Sequence, residues 1–448
     1  MKVNLLGGKI HTAFLTLFAS ALGSTIISTI YSTVDMMCVG QHSGPTAAAA
    51  LACVNPLWAL MMAPGVLAGV GGSVMMSNRK AGGNLDEARG FYTLSVIIAA
   101  IMSALVCAIL LIFPRELLTF FGGEGQRLDY AVTYMLPIAI ISPTFTMSAT
   151  LSAFMRNDGE AFTPTFATAI GGGLNIFLDV FLVFGCNLGV LGAGLATAIG
   201  QTVAFLIMAA YFFRKKCTLK FTKIKHLGNK LTKIFTLGAS AFILELAFAI
   251  TATAYNKMIL NLFTEEHLAV FGTASTVAVM FYCLYNAVGT ALQPLVSANY
   301  GAGAHERVNK TLKISLAASV ALGVAFTLLT QLLPDVILKI YMDVTDGVMK
   351  IGPPIVRIYN MAIGFTGISI VLTFYFQSVL RRGASVCISL CRGVIFPLLF
   401  VFAFPAIFGA DALFYSMPIA ELMTFIIALL LLFFAKKRKP LTNNSYGD

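Results

Sequence analysis

The stretch Leu151–Gln201, LSAFMRNDGEAFTPTFATAIGGGLNIFLDVFLVFGCNLGVLGAGLATAIGQ, decides how the rest of the chain is read. It sets Asp179 inside an otherwise apolar helical run, with Asn175 one turn earlier on the same face. A carboxylate at the centre of a lipid-embedded helix costs about 2.5 to 3.5 kcal/mol on insertion scales, so it is seldom kept without a partner or a task. Thr163 and Pro164 read as an N-cap and a first helical residue. Gly171, Gly172 and Gly173 read as places of close helix contact, and Gly185 to Gly189 as a tight turn into a second helix carrying Thr197. At about 1.5 Å per residue, Asp179 and Thr197 each lie roughly 10 Å from that turn, so antiparallel packing sets them at one depth.

The composition says what surrounds that helix pair. The 448 residues are 58% hydrophobic and 11% charged, with a mean hydropathy of +0.86. That is far too apolar for a water-soluble domain, so the chain is a polytopic membrane protein embedded in a lipid bilayer. The net charge of +11 invites a nucleic-acid reading. Its lysines and arginines fall in loops between apolar runs, where the positive-inside rule accounts for them, and no nucleic-acid partner is expected. The eight cysteines and five histidines show no metal-ligand spacing, and neither a phosphate-binding glycine loop nor a nucleophile elbow is present. An enzyme, an ATP-driven pump and a bound cofactor are therefore not expected.

Apolar runs long enough to cross hydrocarbon lie near 11–38, 46–77, 90–114, 128–155, 163–186, 190–213, 232–262, 268–296, 310–334, 351–378, 385–408 and 411–435. The loop from Arg214 to Lys233 holds eight Lys/Arg and no acid, and the tail holds Lys436, Lys437, Arg438 and Lys439. Loops on the other side carry Glu265, Glu266, Asp335, Asp343, Asp346 and Asp411. This charge pattern places both termini in the cytoplasm of a multi-pass cell-membrane protein.

The chain also repeats itself at a spacing near 220 residues. Thr16-Leu17-Phe18-Ala19-Ser20-Ala21 returns as Thr236-Leu237-Gly238-Ala239-Ser240-Ala241. Gly69 matches Gly289, Ser77 matches Ser297, and Gly83 with Asp86 matches Gly303 with Glu306. The expected architecture is an all-α membrane protein of two six-helix lobes running the same way across the bilayer. Its parts are a first lobe over 1–213, a basic linker over 214–233, a second lobe over 234–436 and a tail over 437–448.

Asp35 lies near the end of the first span, at the depth expected for Asp179 and Thr197. Asp35, Asn175, Asp179 and Thr197 can then form one cluster of hard oxygen ligands, suited to a small cation or to two carboxylates sharing a proton. The competing reading leaves Asp35 in interfacial water and satisfies Asp179 with Asn175 and backbone. Glu245, about 20 Å into the seventh span by helical rise, is a candidate for substrate or proton coupling, or else a structural partner for Lys257 or Arg392. Lys257 and Arg392 are expected to snorkel toward the interfaces. Arg156, Asp158 and Glu160 are expected to fix a short loop through ion pairs.

Taken together, Arg156-Asn157-Asp158-Gly159, Leu174-Asn175, Leu178-Asp179, Gly189-Val190, Gly192-Ala193 and Ala196-Thr197 resemble the multidrug and toxic compound extrusion (MATE) antiporters. Val34-Asp35, Glu245 and Pro294 with Asn299-Tyr300-Gly301-Ala302 fit the same resemblance, which covers nearly the whole chain. It implies a V-shaped pair of lobes, usually monomeric, that exchanges sodium ions or protons for organic cations and drugs. It also implies a cation site at the positions of Asp35, Asn175, Asp179 and Thr197. Two departures stand out. The prolines usual in the first and seventh helices are replaced by Ala19-Ser20-Ala21 and Ala239-Ser240-Ala241, which removes a proline-based bend. The tenth span, 351–378, has no acidic residue to complete a second-lobe site with Glu245. A flippase for a lipid-linked precursor shares this architecture and is the alternative within transport. A non-transporting receptor or scaffold, which has no use for buried acids, is the alternative outside it.

Overall fold

The computed structural model describes residues 3–213, 217–341 and 346–437. Of the basic and acidic residues used for orientation, Arg214, Lys215, Lys216, Asp343, Arg438 and Lys439 lie outside these, as does the tail beyond Lys437. The described chain is helical throughout, in the order α1 (Ile10–Ser43), α2 (Pro45–Ala81), α3 (Leu85–Ile112), α4 (Pro114–Phe120), α5 (Gly125–Ile140), α6 (Ser142–Asn157) and α7 (Phe162–Leu178). A π-helical segment, Asp179–Gly185, leads into α8 (Gly189–Ala210) and α9 (Leu227–Leu262). The chain continues as α10 (Glu265–Gly301), α11 (His305–Leu332), α12 (Pro334–Tyr341), α13 (Asp346–Asn360), α14 (Ile363–Ser378) and α15 (Arg382–Leu390). A second π segment, Cys391–Ile395, precedes α16 (Phe396–Phe408) and α17 (Ser416–Lys437).

Among the described residues, eleven helices are long and apolar enough to cross a membrane, and the bent pair α5–α6 makes a twelfth span. That span is not the single rod expected over 128–155. It breaks at Ile141 with a bend of 55°. Pro143, in the first turn of α6, has no N–H to continue the ladder and suits a helix start. The outer faces fit lipid rather than water: α3 exposes Ile97, Ile101, Leu105 and Ile112 at helical spacing.

The chain forms two compact units. One holds the described residues up to Gly8 and Leu15–Glu245, the other Lys9–Phe14 and the described residues from Leu246 onward. Each has its own apolar core, around Val39, Val54, Leu57, Met61, Ile138 and Val183 in the first and Tyr255, Phe271, Tyr285, Val356 and Val401 in the second.

The repeat read from sequence reappears as geometry. At the end of α2, Gly82 N, Gly83 N and Asn84 N donate to Asn78 O, Lys80 O and Arg79 O at 3.0, 3.2 and 2.9 Å. At the end of α10, Ala302 N, Gly303 N and Ala304 N donate to Ala298 O, Tyr300 O and Asn299 O at 3.0, 3.1 and 2.8 Å, the same pattern 220 positions later. Gly83 and Gly303 hold φ of 87° and 72°, left-handed values that a side chain opposes, which is why glycine stands at both.

Short polar ties fix the loop after α6, though not as expected for all three charged residues. Asp158, buried, accepts from Lys80 Nζ, from Thr218 Oγ1 and from the Tyr211 hydroxyl. Glu160 Oε1 accepts from Thr163 N at 3.3 Å and Thr163 Oγ1 at 3.1 Å. Thr163 is therefore not the N-cap of α7; the helix begins at Phe162, and the Glu160 carboxylate satisfies its first-turn donor. Arg156 takes no part in the ion pairs and turns elsewhere.

Candidate functional site

Helices α7 and α8 approach closely because both carry glycine where they cross. A Cβ at Gly200 would sit 2.6 Å from Gly171 O and 2.9 Å from Asn175 Cβ, so backbone meets backbone there. Gly172 packs under the Tyr31 ring of α1, whereas Gly173 faces open space and plays no part in the contact expected of all three glycines. Crossing at Gly171 and Gly200 brings Asn175 against Thr197: Asn175 Nδ2 donates to Thr197 Oγ1 at 3.3 Å.

Asp179 follows one turn later, at the first residue of the π segment. The wider turn, with Cys186 N donating five residues back to Phe181 O at 2.9 Å, interrupts the regular helix just where the acid sits. Single π turns within α-helices often mark functional positions. Asp179 is 0% exposed, and Asp35, from α1, is 5% exposed and accepts a hydrogen bond from the Tyr134 hydroxyl of α5. The two acids lie near enough to interact electrostatically, and Thr197 lies beside the Tyr134 hydroxyl. Asp35 is thus buried in protein, not set in interfacial water.

Four oxygens in this cluster are buried without a hydrogen-bond partner: Asp35 Oδ1, Asn175 Oδ1 and both carboxylate oxygens of Asp179. Buried polar atoms are nearly always satisfied, so such a concentration of acceptors needs an explanation. A proton or a small hard cation supplies one, since either binds oxygen and neither needs sulfur or imidazole. Among the described residues no group of three or more His, Cys, Asp or Glu is placed to hold a metal ion. The acids of this cluster are two, Asp35 and Asp179, and its other polar side chains are the amide of Asn175 and the hydroxyls of Thr197 and Tyr134.

Asn175 and Thr197 also form part of the wall of a cavity of about 210 Å³ within the first unit. Its lining comes from one face of each contributing helix: Ser24, Ser28 and Tyr31 of α1, and Ser148, Ser152 and Arg156 of α6. Thr168 of α7 and Gln201 of α8 add to the polar set, and Gln201 donates to Ser148 Oγ at 3.1 Å. Sequence reading missed these hydroxyls and Tyr134. The legible signal was the i, i+4 spacing of serines at 24 and 28 and at 148 and 152, within helices where serine has no packing reason to recur.

Among the described residues, the second half has no matching acid pair. Its π segment carries Arg392, which is 7% exposed and bonded through Nε to Glu421 Oε1 of α17 at 2.9 Å; Glu421 is 1% exposed. The guanidinium also lies over the Tyr282 ring, 5.0 Å from its centre. Arg392 therefore does not snorkel; a buried carboxylate and an aromatic face offset its desolvation, and it is no partner for Glu245. Lys257 is exposed, and Glu245, half-buried in α9, makes no hydrogen bond or ion pair among the described residues.

Comparison with known proteins places this geometry. The chain is 24% identical to the multidrug export protein MepA of Staphylococcus haemolyticus over 418 residues, 92% of this chain and 91% of that protein. It is 24% identical to the MepA of Staphylococcus aureus strain NCTC 8325 over 426 residues, with the same coverage of each. Its fold matches an outward-facing multidrug resistance MATE family transporter of the MOP superfamily, at a TM-score of 0.90 and 19% identity over 98% of this chain and 99% of that one. It also matches the MATE multidrug transporter DinF-BH, at a TM-score of 0.88 and 24% identity over 95% and 96% of the two chains. The MatE family model matches twice, over residues 21–181 and 241–402, one match to each copy of the repeat. With most of its length matched in this way, the chain belongs to the MatE family.

Proposed function

We propose that this protein exports organic cations and drugs across the cell membrane in exchange for sodium ions or protons, by alternating access, with both termini in the cytoplasm. The observation that carries the proposal is the cluster of four buried, unpartnered oxygens on Asp35, Asn175 and Asp179. Retaining two such acids inside a membrane lobe is costly, and a bound positive ion removes the cost. Multidrug export is the activity named for the MepA relatives and supports the same reading.

Coupling requires that the ion and the exported compound prefer different conformations. Moving a two-state equilibrium from 1:99 to 99:1 takes a differential affinity of about 5.5 kcal/mol. Binding at Asp35, Asn175, Asp179 and Thr197 is well placed to supply part of it, because these residues come from α1, α7, α8 and the π segment between the last two, which have to stay together to hold an ion. Glu245 is a second titratable position for substrate or proton coupling. The protein works as a monomer, and the coupling ion is its only inorganic requirement.

A flippase of the same architecture needs concentrated positive charge facing its substrate. In the second half Arg392 is neutralised by Glu421, which disfavours that alternative. The deciding experiment loads proteoliposomes with protein and follows a fluorescent organic cation under imposed sodium or proton gradients. Gradient-driven flux is expected with the native protein and is lost in Asp179→Asn, which keeps the side-chain shape while removing its charge. Undiminished gradient-driven flux in that variant overturns the proposal.

A further inference from the structure

We propose that the first-lobe cavity contains an anion subsite, in which Arg156 receives the carboxylate of a small carboxylate-bearing molecule. This deepens the export reading by naming a second chemical class that the lobe accommodates. It rests on that reading only for its physiological use, since the binding itself needs no ion gradient.

Arg156 projects from the last turn of α6 into the cavity. Its Nη2 donates to Ser24 Oγ at 3.2 Å, while Nε is buried without an acceptor. No carboxylate pairs with it among the described residues: Asp158 is held by Lys80 and Thr218, and Glu160 by Thr163. An arginine keeps its charge under all ordinary conditions and offers five N–H donors in a planar fork. One neutral hydroxyl uses one of them. Arg156 is only partly buried, but its Nε is closed off from solvent without an acceptor, and a carboxylate, which matches the fork with two parallel hydrogen bonds, is the acceptor best shaped to satisfy it.

The rest of the cavity fits such a ligand. Ser28 and Ser152 line the same cavity with hydroxyls, and Thr168, also in its wall, gives its hydroxyl proton to Pro164 O at 3.0 Å. A volume of about 210 Å³ is smaller than the roughly 300 to 1,000 Å³ of a drug-sized pocket, so it suits a small molecule or the acidic end of a larger one. The two ends also differ in kind, a cationic donor at one and a neutral amide acceptor at the other. From Ser24 to Tyr31 is about 10 Å along α1 by helical rise. Tyr31 packs on Gly172, one turn before Asn175, whose carbonyl oxygen lacks a donor. A zwitterion with its carboxylate on Arg156 would point its ammonium group toward that oxygen.

The alternative is that Arg156 merely ties α6 to α1 through Ser24. The two are separated by measuring binding of 4-(aminomethyl)benzoate and of its methyl ester to the purified full-length protein by calorimetry, without a gradient. The native protein is expected to bind the acid about tenfold or more tighter than the ester, the usual scale for charge-assisted hydrogen bonds. Arg156→Gln should abolish that preference by weakening the acid alone, and Arg156→Lys should restore part of it. Ser24→Ala, which cuts the tie but leaves the guanidinium, should keep it. Equal affinities for acid and ester in the native protein, no binding of the acid, or parallel weakening of both ligands in Arg156→Gln overturns the proposal. Should Arg156→Gln fail to fold, the native acid-to-ester ratio and Ser24→Ala still decide. Gradient-driven efflux of a cationic dye by the native protein tests the export reading separately and is independent of this ratio.

Discussion

Asn175 donates its side-chain amide to Thr197 Oγ1 at 3.3 Å, and the carbonyl oxygen of the same side chain has no partner. The donor half of the amide is thereby pinned across the α7–α8 crossing, which leaves the acceptor half aimed as a ligand. A hydrogen bond of this kind orients a binding group in the way that outer contacts orient metal ligands. It also connects the carboxylate cluster to the cavity, because both residues belong to the cavity wall.

Whichever ion couples should stabilise the native protein by binding it and not the unfolded chain. At one hundred times its dissociation constant the gain is about 2.7 kcal/mol. A sodium titration and a pH series, each read as the thermal unfolding midpoint in detergent, should show a rise with one of the two ions. Asp179→Asn should flatten that response. A rise of equal size in the variant would place the ion elsewhere.

Tyr134→Phe removes the donor that stabilises the charged form of Asp35. Hydrogen bonds to charged groups contribute about 1.5 to 3 kcal/mol, so the carboxylate should then hold its coupling ion about ten- to a hundredfold more tightly. The half-saturating ion concentration in vesicle efflux should fall, and turnover should slow as ion release is delayed. A rise in half-saturation would show that the phenol itself ligates the ion.

Glycines in α7 and α8 should differ sharply in tolerance. Gly200→Ala forces a methyl group against Gly171 O and Asn175 Cβ, and overpacking of this kind costs about 1 to 3 kcal/mol. It should lower the unfolding midpoint and weaken ion binding together. Gly173→Ala, with nothing within 4 Å, should be neutral or stabilising by up to about 1 kcal/mol from helix propensity.

Arg392 and Glu421 should behave as a unit. Arg392→Met alone strands a buried carboxylate at a cost of about 3 to 5 kcal/mol, whereas Arg392→Met with Glu421→Leu should recover most of that stability. A double-mutant cycle on unfolding midpoints measures the coupling. Simple additivity of the two single effects would mean that the pair is not the packing unit it forms here.

Much of this protein is written in its local pattern. The spanning runs, the doubling at 220 residues and the glycine turns at Gly83 and Gly303 follow from hydrophobic run length and from the backbone needs of particular residues, which neighbours in sequence reveal. Asp35 and Asp179 were equally visible, since a charge in an apolar helix is conspicuous wherever it falls. What depended on tertiary structure was the choice of partners. Tyr134 reaches Asp35 from 99 positions away, Arg392 takes Glu421 instead of snorkelling, and Arg156, in the last turn of α6, bonds Ser24 rather than the acids of the loop that follows. No periodicity encodes such pairings. They are settled by which helix faces meet once backbones close at Gly171 and Gly200, and by the cost of leaving a buried charge or donor unmatched.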